Sequence, residues 1–122
     1  MRVVAACLRN ATAAGRYLTA YENVALVPAG EQWADGSLRP AYEDLVGAGA
    51  VADRLLGCNP LLALSPEAEA AMLAFRSLRP LERCTSGAEL VERGFAEDVR
   101  IAAEIDASTA VPVLVEGRFV AA

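Results

Sequence analysis

Apolar residues recur along this chain with two different spacings, and each spacing predicts one kind of element. Four segments place apolar residues three or four positions apart, which is the spacing of a buried helix face. The last segment is interrupted at Gly94, so it predicts two short helices or one broken helix. The four helical segments are residues 11–21, 42–56, 65–78 and 86–105.

Short apolar runs rich in β-branched residues lie outside these segments and predict strands. The first two runs flank a helix, and this β-α-β order favours parallel strands joined by a right-handed crossover. The sequence therefore predicts a layered α/β fold, in which helices pack on a small, mostly parallel β-sheet. The runs are Val3–Leu8, Val24–Val27 and Val111–Val115, with a turn at Glu116-Gly117 and a return strand at Arg118–Val120.

The predicted sheet has few strands. A parallel sheet is normally covered by helices on both faces, which requires a wider sheet than this one. We therefore expect the sheet to be completed by another chain or by a missing half. The length fits one domain, so residues 1–122 are predicted to form a single α/β unit. Small residues at positions 47–50 would let a neighbouring backbone approach the second helix closely.

The composition excludes several classes of catalytic and binding group. All eleven basic residues are arginine, so the chain offers no histidine base or ligand and no Walker or Schiff-base lysine. A net charge of −5 argues against a nucleic-acid-binding surface. The chain lacks a membrane-length apolar run and a secretory signal, so we expect a soluble, cytoplasmic protein with no membrane partner. The three cysteines lack paired spacing and are expected to be buried free thiols.

Two adjacent carboxylates, Glu43 and Asp44, lie near the start of the second predicted helix. Oxygen ligands of this kind bind hard cations, and Mg²⁺ typically takes one or two carboxylates together with phosphate oxygens of a substrate. Acids in a first helical turn are also common as surface residues that stabilise the helix dipole. The residue pattern alone leaves both interpretations open.

Two predicted helix starts are candidates for binding an anion, because free amides and the helix dipole meet there. The first follows the N-terminal strand and contains Asn10 and Thr12. The second is the Ser86-Gly87 turn, where Ser86 and Glu89 have the spacing of a capping box. An ordinary N-cap explains Asn10 equally well.

The C-terminal third contains an ordered set of glycine, proline, acidic and apolar residues: Gly87, Glu89-Leu90, Gly94-Phe95, Asp98-Val99 and Val111-Pro112-Val113-Leu114. This set is similar to the C-terminal signature of the ComB family, the magnesium-dependent 2-phosphosulpholactate phosphatases. The resemblance extends from Val3 to Phe119 and covers only the C-terminal half of that family.

The resemblance implies a phosphatase that uses Mg²⁺ and acts on a small anionic organic phosphate. It implies that Glu43 and Asp44 are the catalytic and metal-binding residues, because the family has an acidic pair followed by small residues there. It also matches the two anion-binding turns to positions where the family binds substrate. The implied substrate-binding residues are Asn10, Thr12, Ser86, Gly87 and Arg9.

This chain departs from the family pattern at two positions, where Ala11 replaces a glycine and Ala88 replaces an arginine. A guanidinium recognises phosphate or sulphonate through two parallel hydrogen bonds, which alanine cannot make. Arg9, Arg83 or Arg93 could supply the guanidinium group from another position. Two further acids are secondary: Asp98 fits the family pattern but is expected to be a surface or capping acid, and Glu31 follows the second predicted strand.

Two functions follow from these observations. The first is a magnesium-dependent phosphomonoesterase, working as a homo-oligomer or paired with a partner that supplies the N-terminal half. The second is a non-catalytic α/β module, derived from the same family, that binds small anions or serves assembly. The missing half and Ala88 motivate the second interpretation.

Overall fold

The longest helix, α2, lies at the centre of the molecule and contacts α1 on one side and α3 on the other. The structure is a computed structural model that describes residues 1–122. Two 3-10 turns, Leu8–Asn10 and Leu81–Arg83, precede α1 and α4. The helices are α1 (Ala11–Leu18), α2 (Tyr42–Cys58), α3 (Pro66–Arg76), α4 (Thr85–Glu92) and α5 (Ala96–Ala102).

These helices confirm the helical segments predicted from apolar spacing, including the interruption at Gly94 that separates α4 from α5. Ser65 caps α3 as its sequence predicts, since its hydroxyl accepts a hydrogen bond from the amide of Ala68 and Pro66 occupies the first turn. The ends of α1 and α3 fall two or three residues earlier than predicted.

The core lies between α1, α2, α3 and the two 3-10 turns. Val46 on α2 is completely buried, and Leu8, Phe75, Leu81 and Val99 pack around the same centre. The close approach predicted from small residues also occurs, because a Cβ atom at Gly49 would lie 2.0 Å from the carbonyl oxygen of Ala71 on α3. Glycine at this position is therefore what lets α2 and α3 pack backbone to backbone.

The strands form two small antiparallel sheets of two strands each. In the first, β1 (Glu31–Gln32) pairs with β2 (Leu38–Arg39) across a turn at residues 33–37. In the second, β3 (Pro112–Val115) pairs with β4 (Arg118–Ala121), which confirms the predicted C-terminal hairpin. The β1–β2 hairpin was not predicted, because its short polar strands lack an apolar alternation.

The prediction of a mostly parallel sheet is not supported, although the mixture of helix and strand agrees with an α/β class. Of the first predicted strand, only Val4 forms a bridge, and it pairs antiparallel with Val113 of β3. The second, residues 24–27, runs without regular secondary structure. The apolar run predicts an extended segment, but pairing needs a neighbouring strand, and none lies beside residues 24–27 in this chain. No helix combines the length and the apolar character that crossing a bilayer would require.

Candidate functional site

A polar cleft of about 450 Å³ lies between the start of α2 and the turn that leads into α4. Helix α2 brings Glu43 to one wall, because this residue lies in the first turn of the helix. The opposite wall belongs to the segment from Arg79 to Ser86, which enters α4. The cleft thus joins one predicted metal-binding acid to one predicted anion-binding turn.

Glu43 and Asp44 both line a second, larger cavity of about 900 Å³, and Glu43 lines both cavities. Oδ2 of Asp44 accepts a hydrogen bond of 2.7 Å from the amide of Gly30. Oε2 of Glu43 accepts one of 3.4 Å from the thiol of Cys84. Each carboxylate keeps its second oxygen without a hydrogen-bond partner, and neither forms an ion pair within the chain.

Two arginines on the α4 side of the cleft, Arg79 and Arg83, form no ion pair with any carboxylate of the chain. Arg39, at the end of β2 and outside the cleft lining, donates hydrogen bonds to Glu89 at 2.7 and 3.1 Å and one of 3.4 Å to the hydroxyl of Ser86. The pKa of Glu89 is lowered because the Arg39 guanidinium donates to its carboxylate. The charge of Arg39 is therefore paired with Glu89, whereas Arg79 and Arg83 bring unpaired positive charge to the cleft.

Arg39 and Arg79 were not predicted from the sequence as neighbours of the site. Their nearness in sequence to predicted site residues could have indicated them, since Arg39 lies four residues before Glu43 and Arg79 lies in the segment that leads to α4. An isolated arginine has no periodic pattern that would mark it. Arg83 was named as a substitute for the missing family arginine, and it lines the cleft. Arg93 instead lies with its guanidinium 5.8 Å from the ring of Phe95.

Helix α4 begins one residue earlier than predicted, and the predicted capping box between Ser86 and Glu89 is wrong. The cap is Cys84, whose sulphur accepts the amide hydrogen of Gly87 at 3.4 Å. Glu89 does not bond to the amide of Ser86, because its charge-assisted pair with Arg39 is stronger than a hydrogen bond to a neutral amide.

Cys84 is a free, half-buried thiol whose pKa is raised, mainly by burial. The Glu43 carboxylate raises that pKa further, while the hydrogen bond from Gly87 opposes both. The thiol therefore stays protonated near neutral pH and is a poor nucleophile. The other two cysteines, Cys7 and Cys58, are exposed, so the prediction of buried thiols was wrong for them, whereas their free state is confirmed. Cys58 is the last residue of α2, at the end of the helix where the chain leaves the core.

Gly87 packs against the 3-10 turn before α4 and does not line either cavity. A Cβ atom there would lie 1.9 Å from the carbonyl oxygen of Leu81, so any side chain would push α4 away from this turn. Its role in binding substrate stays a prediction, whereas its role in setting the position of Ser86 follows from this contact.

The other predicted anion site, at the start of α1, is filled by a carboxylate of the chain itself. Asp106 accepts hydrogen bonds from the amide and the hydroxyl of Thr12 at 2.7 and 2.8 Å. Arg54 of α2 forms an ion pair of 3.3 Å with the same carboxylate. Burial acts to raise the pKa of Asp106, but these hydrogen bonds outweigh it and the pKa is lowered.

Asn10 and Arg9 hold the N-terminal segment against the C-terminal part of the chain. The buried Asn10 amide donates to the carbonyls of Ala5 and Ala110 at 3.3 and 2.9 Å, while its oxygen accepts from the amide of Cys7. The Arg9 guanidinium bonds the carbonyl of Ile101 and pairs with Glu104. Neither residue lines either cavity.

The structure thus brings Glu43 and Ser86 into one cleft, places Asp44 in the larger cavity that Glu43 also lines, and leaves Arg9, Asn10 and Thr12 outside both cavities. The substrate-binding role of the second group stays a prediction. Asp98 is an exposed acid in the first turn of α5, and the exposed Glu31 pairs with Arg39 across the β1–β2 hairpin.

The acidic pair fits a cation that needs few protein ligands. No group of three or more Asp, Glu and Cys side chains gathers anywhere as a ready-made metal site. Mg²⁺ commonly binds through one or two carboxylates and completes its shell with water and substrate oxygens. Glu43 and Asp44 each supply one carboxylate that keeps an oxygen free of hydrogen bonds.

A comparison with protein-family models gives one match, and it extends over residues 1–117. The matching family is described as 2-phosphosulpholactate phosphatase. The resemblance that the C-terminal residues indicated is confirmed at the level of the family, and the match spans almost the whole chain. The protein with this acidic pair and arginine-lined cleft therefore belongs to the 2-phosphosulpholactate phosphatase family.

Proposed function

We propose that this protein is a magnesium-dependent phosphomonoesterase acting on a small anionic organic phosphate of the 2-phosphosulpholactate type. The observation that carries the proposal is the polar cleft, in which Glu43 lies with Ser86 and two arginines that have no ion-pair partner. Family membership supports phosphatase chemistry. We also propose that the chain corresponds to the C-terminal half of the family and works as a homo-oligomer or with an N-terminal-half partner.

The cleft residues divide into two groups by charge. Glu43 and Asp44 would hold Mg²⁺, which when bound supplies Lewis-acid neutralisation of phosphoryl charge. Arg79 and Arg83 would bind the anionic oxygens of the phosphate or of the second acid group through charge-assisted hydrogen bonds. The hydroxyl of Ser86 is a further donor on the same wall.

Hydrolysis in this cleft would proceed without a covalent enzyme intermediate. The oxygen of a water forms the new bond to phosphorus while the ester P–O bond breaks, and the proton that this water loses is balanced by the one that the departing alcohol oxygen takes up, giving inorganic phosphate and the free alcohol. Burial raises the pKa of the Cys84 thiol, which disfavours this residue as the nucleophile. The arginines stabilise the charge that develops on the equatorial oxygens.

The test is the release of inorganic phosphate from 2-phosphosulpholactate and from a panel of small phosphomonoesters, with Mg²⁺ or with EDTA. We expect turnover that needs Mg²⁺ and is lost in Asp44→Asn, which keeps a hydrogen-bond acceptor for Gly30. The matched control is Asp98→Asn, an exposed first-turn acid of α5 outside both cavities. Absence of turnover from a folded sample of known mass would favour the non-catalytic anion-binding or assembly module.

A further inference from the structure

Residues 22–29 run as an isolated segment between α1 and β1. None of their backbone amides or carbonyls forms a hydrogen bond with another backbone group of the chain. The segment is nevertheless held in place, because Leu26 packs against the core. These eight residues leave polar backbone groups open on two edges, except at Pro28 near the end of the segment, which has no amide hydrogen to donate.

The segment around Val4 has one open edge as well. The carbonyl of Val3 and the amide of Ala5 bond to Leu114 and Pro112 on β3, at 2.9 and 3.0 Å. Alternate residues of a strand direct their polar groups to opposite edges. Val4 and Ala6 therefore direct theirs away from β3, and these groups have no backbone partner.

The larger cavity, of about 900 Å³, lies between these two segments and is lined mainly by apolar side chains. Both walls carry backbone donors and acceptors that have no backbone partner, and residues of α2 line the same cavity. Such groups are complementary to the donors and acceptors of another extended chain, as in strand addition to a sheet edge. The cavity therefore offers backbone hydrogen-bond partners to a further chain segment.

The exposed area of the chain indicates that the segment that fills this cavity belongs to a partner with a large interface. The accessible surface is 7982 Å². A monomer of this mass typically exposes about 6,300 Å², so the excess is about 1,700 Å². Permanent dimers bury roughly 1,000–2,500 Å² on each partner, a range that includes this excess.

We infer that two copies of this chain form a dimer in which residues 22–29 of each copy enter the cavity of the other. Across a two-fold axis the two segments would pair antiparallel with each other, and each would pair on its outer edge with Val4 and Ala6 of the other copy. Both open edges of residues 22–29 and the open edge at Val4 are then satisfied together. The contact is self-complementary, as a two-fold interface must be.

No other strand of the chain fits the cavity equally well. β3 is paired on both edges, by β4 and by Val4, and β4 has only one free edge. β1 and β2 pair with each other and contain two residues each. Only residues 22–29 have both edges free. This inference rests on the assembly part of the proposed function and does not depend on its phosphatase chemistry.

The experiment measures the mass of the full chain by sedimentation at micromolar concentration, together with amide hydrogen exchange. We expect a dimer with slow exchange at residues 24–27 and at Val4 and Ala6. Ala25→Pro removes an amide that has no partner in the monomer but would bond in the dimer, so the dissociation constant should rise by about 100-fold. The matched variant Ala25→Val keeps the amide and should remain dimeric.

Two results would overturn the inference. One is a monomeric wild-type chain whose residues 24–27 exchange fast, which would leave the cavity to a different polypeptide. The other is a dimer that Ala25→Pro leaves intact, with the same fast exchange. The exchange measurement on the wild type needs no variant, so a poorly folded Ala25→Pro does not remove the test. Neither measurement uses substrate or Mg²⁺, so failure here is distinct from failure of the phosphatase proposal.

Discussion

The start of α1 and the start of α4 offer the same kind of group, a helix N-terminus beside an arginine, and they differ in what occupies it. At α1, Asp106 accepts from Thr12 and pairs with Arg54, so the positive end of the helix is neutralised inside the chain. At α4, the neighbouring Arg79 and Arg83 have no carboxylate partner and face a polar cleft. The first site is closed and the second is open.

The difference shows that a helix N-terminus specifies an affinity for anions but not the anion. Asp106 reaches Thr12 from the left-handed backbone region, with φ of 54°, a conformation that Asp tolerates better than most residues. In this backbone conformation the carboxylate of Asp106 caps the start of α1. Near α4 no acid arrives except Glu43, which lies across the cleft and is bonded to Cys84.

The largest expected effect lies in the open site. Glu43→Gln keeps the size and the acceptor oxygen but removes the charge that would hold Mg²⁺. We expect magnesium-dependent turnover to fall on the order of 1,000-fold, as loss of several kcal/mol of charge stabilisation implies. Phosphate release at saturating substrate measures it, and Glu97→Gln, which changes an exposed first-turn acid of α5, is the matched control. Unchanged turnover would remove Glu43 from the site.

Arg83→Ala tests whether the open site binds the anion through its free arginines. A charge-assisted hydrogen bond contributes roughly 1.5–3 kcal/mol, so KM should rise about 30-fold. The control is Arg118→Ala, which removes an exposed arginine outside both cavities. An equal rise of KM in both variants would show a general charge effect on substrate attraction, and the comparison between the two helix starts would lose its basis.

The helices were predictable because their signal is local. Apolar spacing located α1 to α5, and the small residues around Gly49 predicted a close helix contact. The C-terminal hairpin was also predictable from its β-branched run and its Glu116-Gly117 turn. The parallel sheet was not, because strand pairing depends on a neighbour that the sequence pattern of residues 24–27 cannot identify.

Candidate site residues could be related from the sequence only where they share one element. Glu43 and Asp44 are adjacent on α2, and this pair of carboxylates suggested a cation site, which stays a prediction. Asp106 was not foreseen as the partner of Thr12, because the two residues are 94 positions apart and no short pattern links them. Arg39 was missed for the same reason, since its contact with Ser86 joins segments 47 positions apart.

Asp106→Ala should convert the closed site into an open one. The variant loses the carboxylate that accepts from Thr12, and we expect the free energy of unfolding to fall by about 1 kcal/mol, as for loss of a helix cap. Inorganic phosphate should then raise the melting temperature of the variant more than that of the wild type. Glu116→Ala is the matched control, because Glu116 also has a positive φ, of 49°, so alanine meets similar backbone strain there. Identical phosphate responses would contradict the proposed equivalence of the two helix starts.

The smallest effect is the dependence of the closed site on pH. The folded pKa of Asp106 is lowered, so its contribution to stability is present above the unfolded value of about 3.9 and is lost as the pH falls through the folded pKa. The difference in unfolding free energy between wild type and Asp106→Asn should therefore be constant near neutral pH and should disappear in acid. Thr12→Ala removes the hydroxyl donor but keeps the amide, so it should reduce this pH dependence without abolishing it. Denaturant unfolding at a series of pH values measures both variants. If the difference persisted undiminished in strong acid, the charge of Asp106 would not be what closes the start of α1.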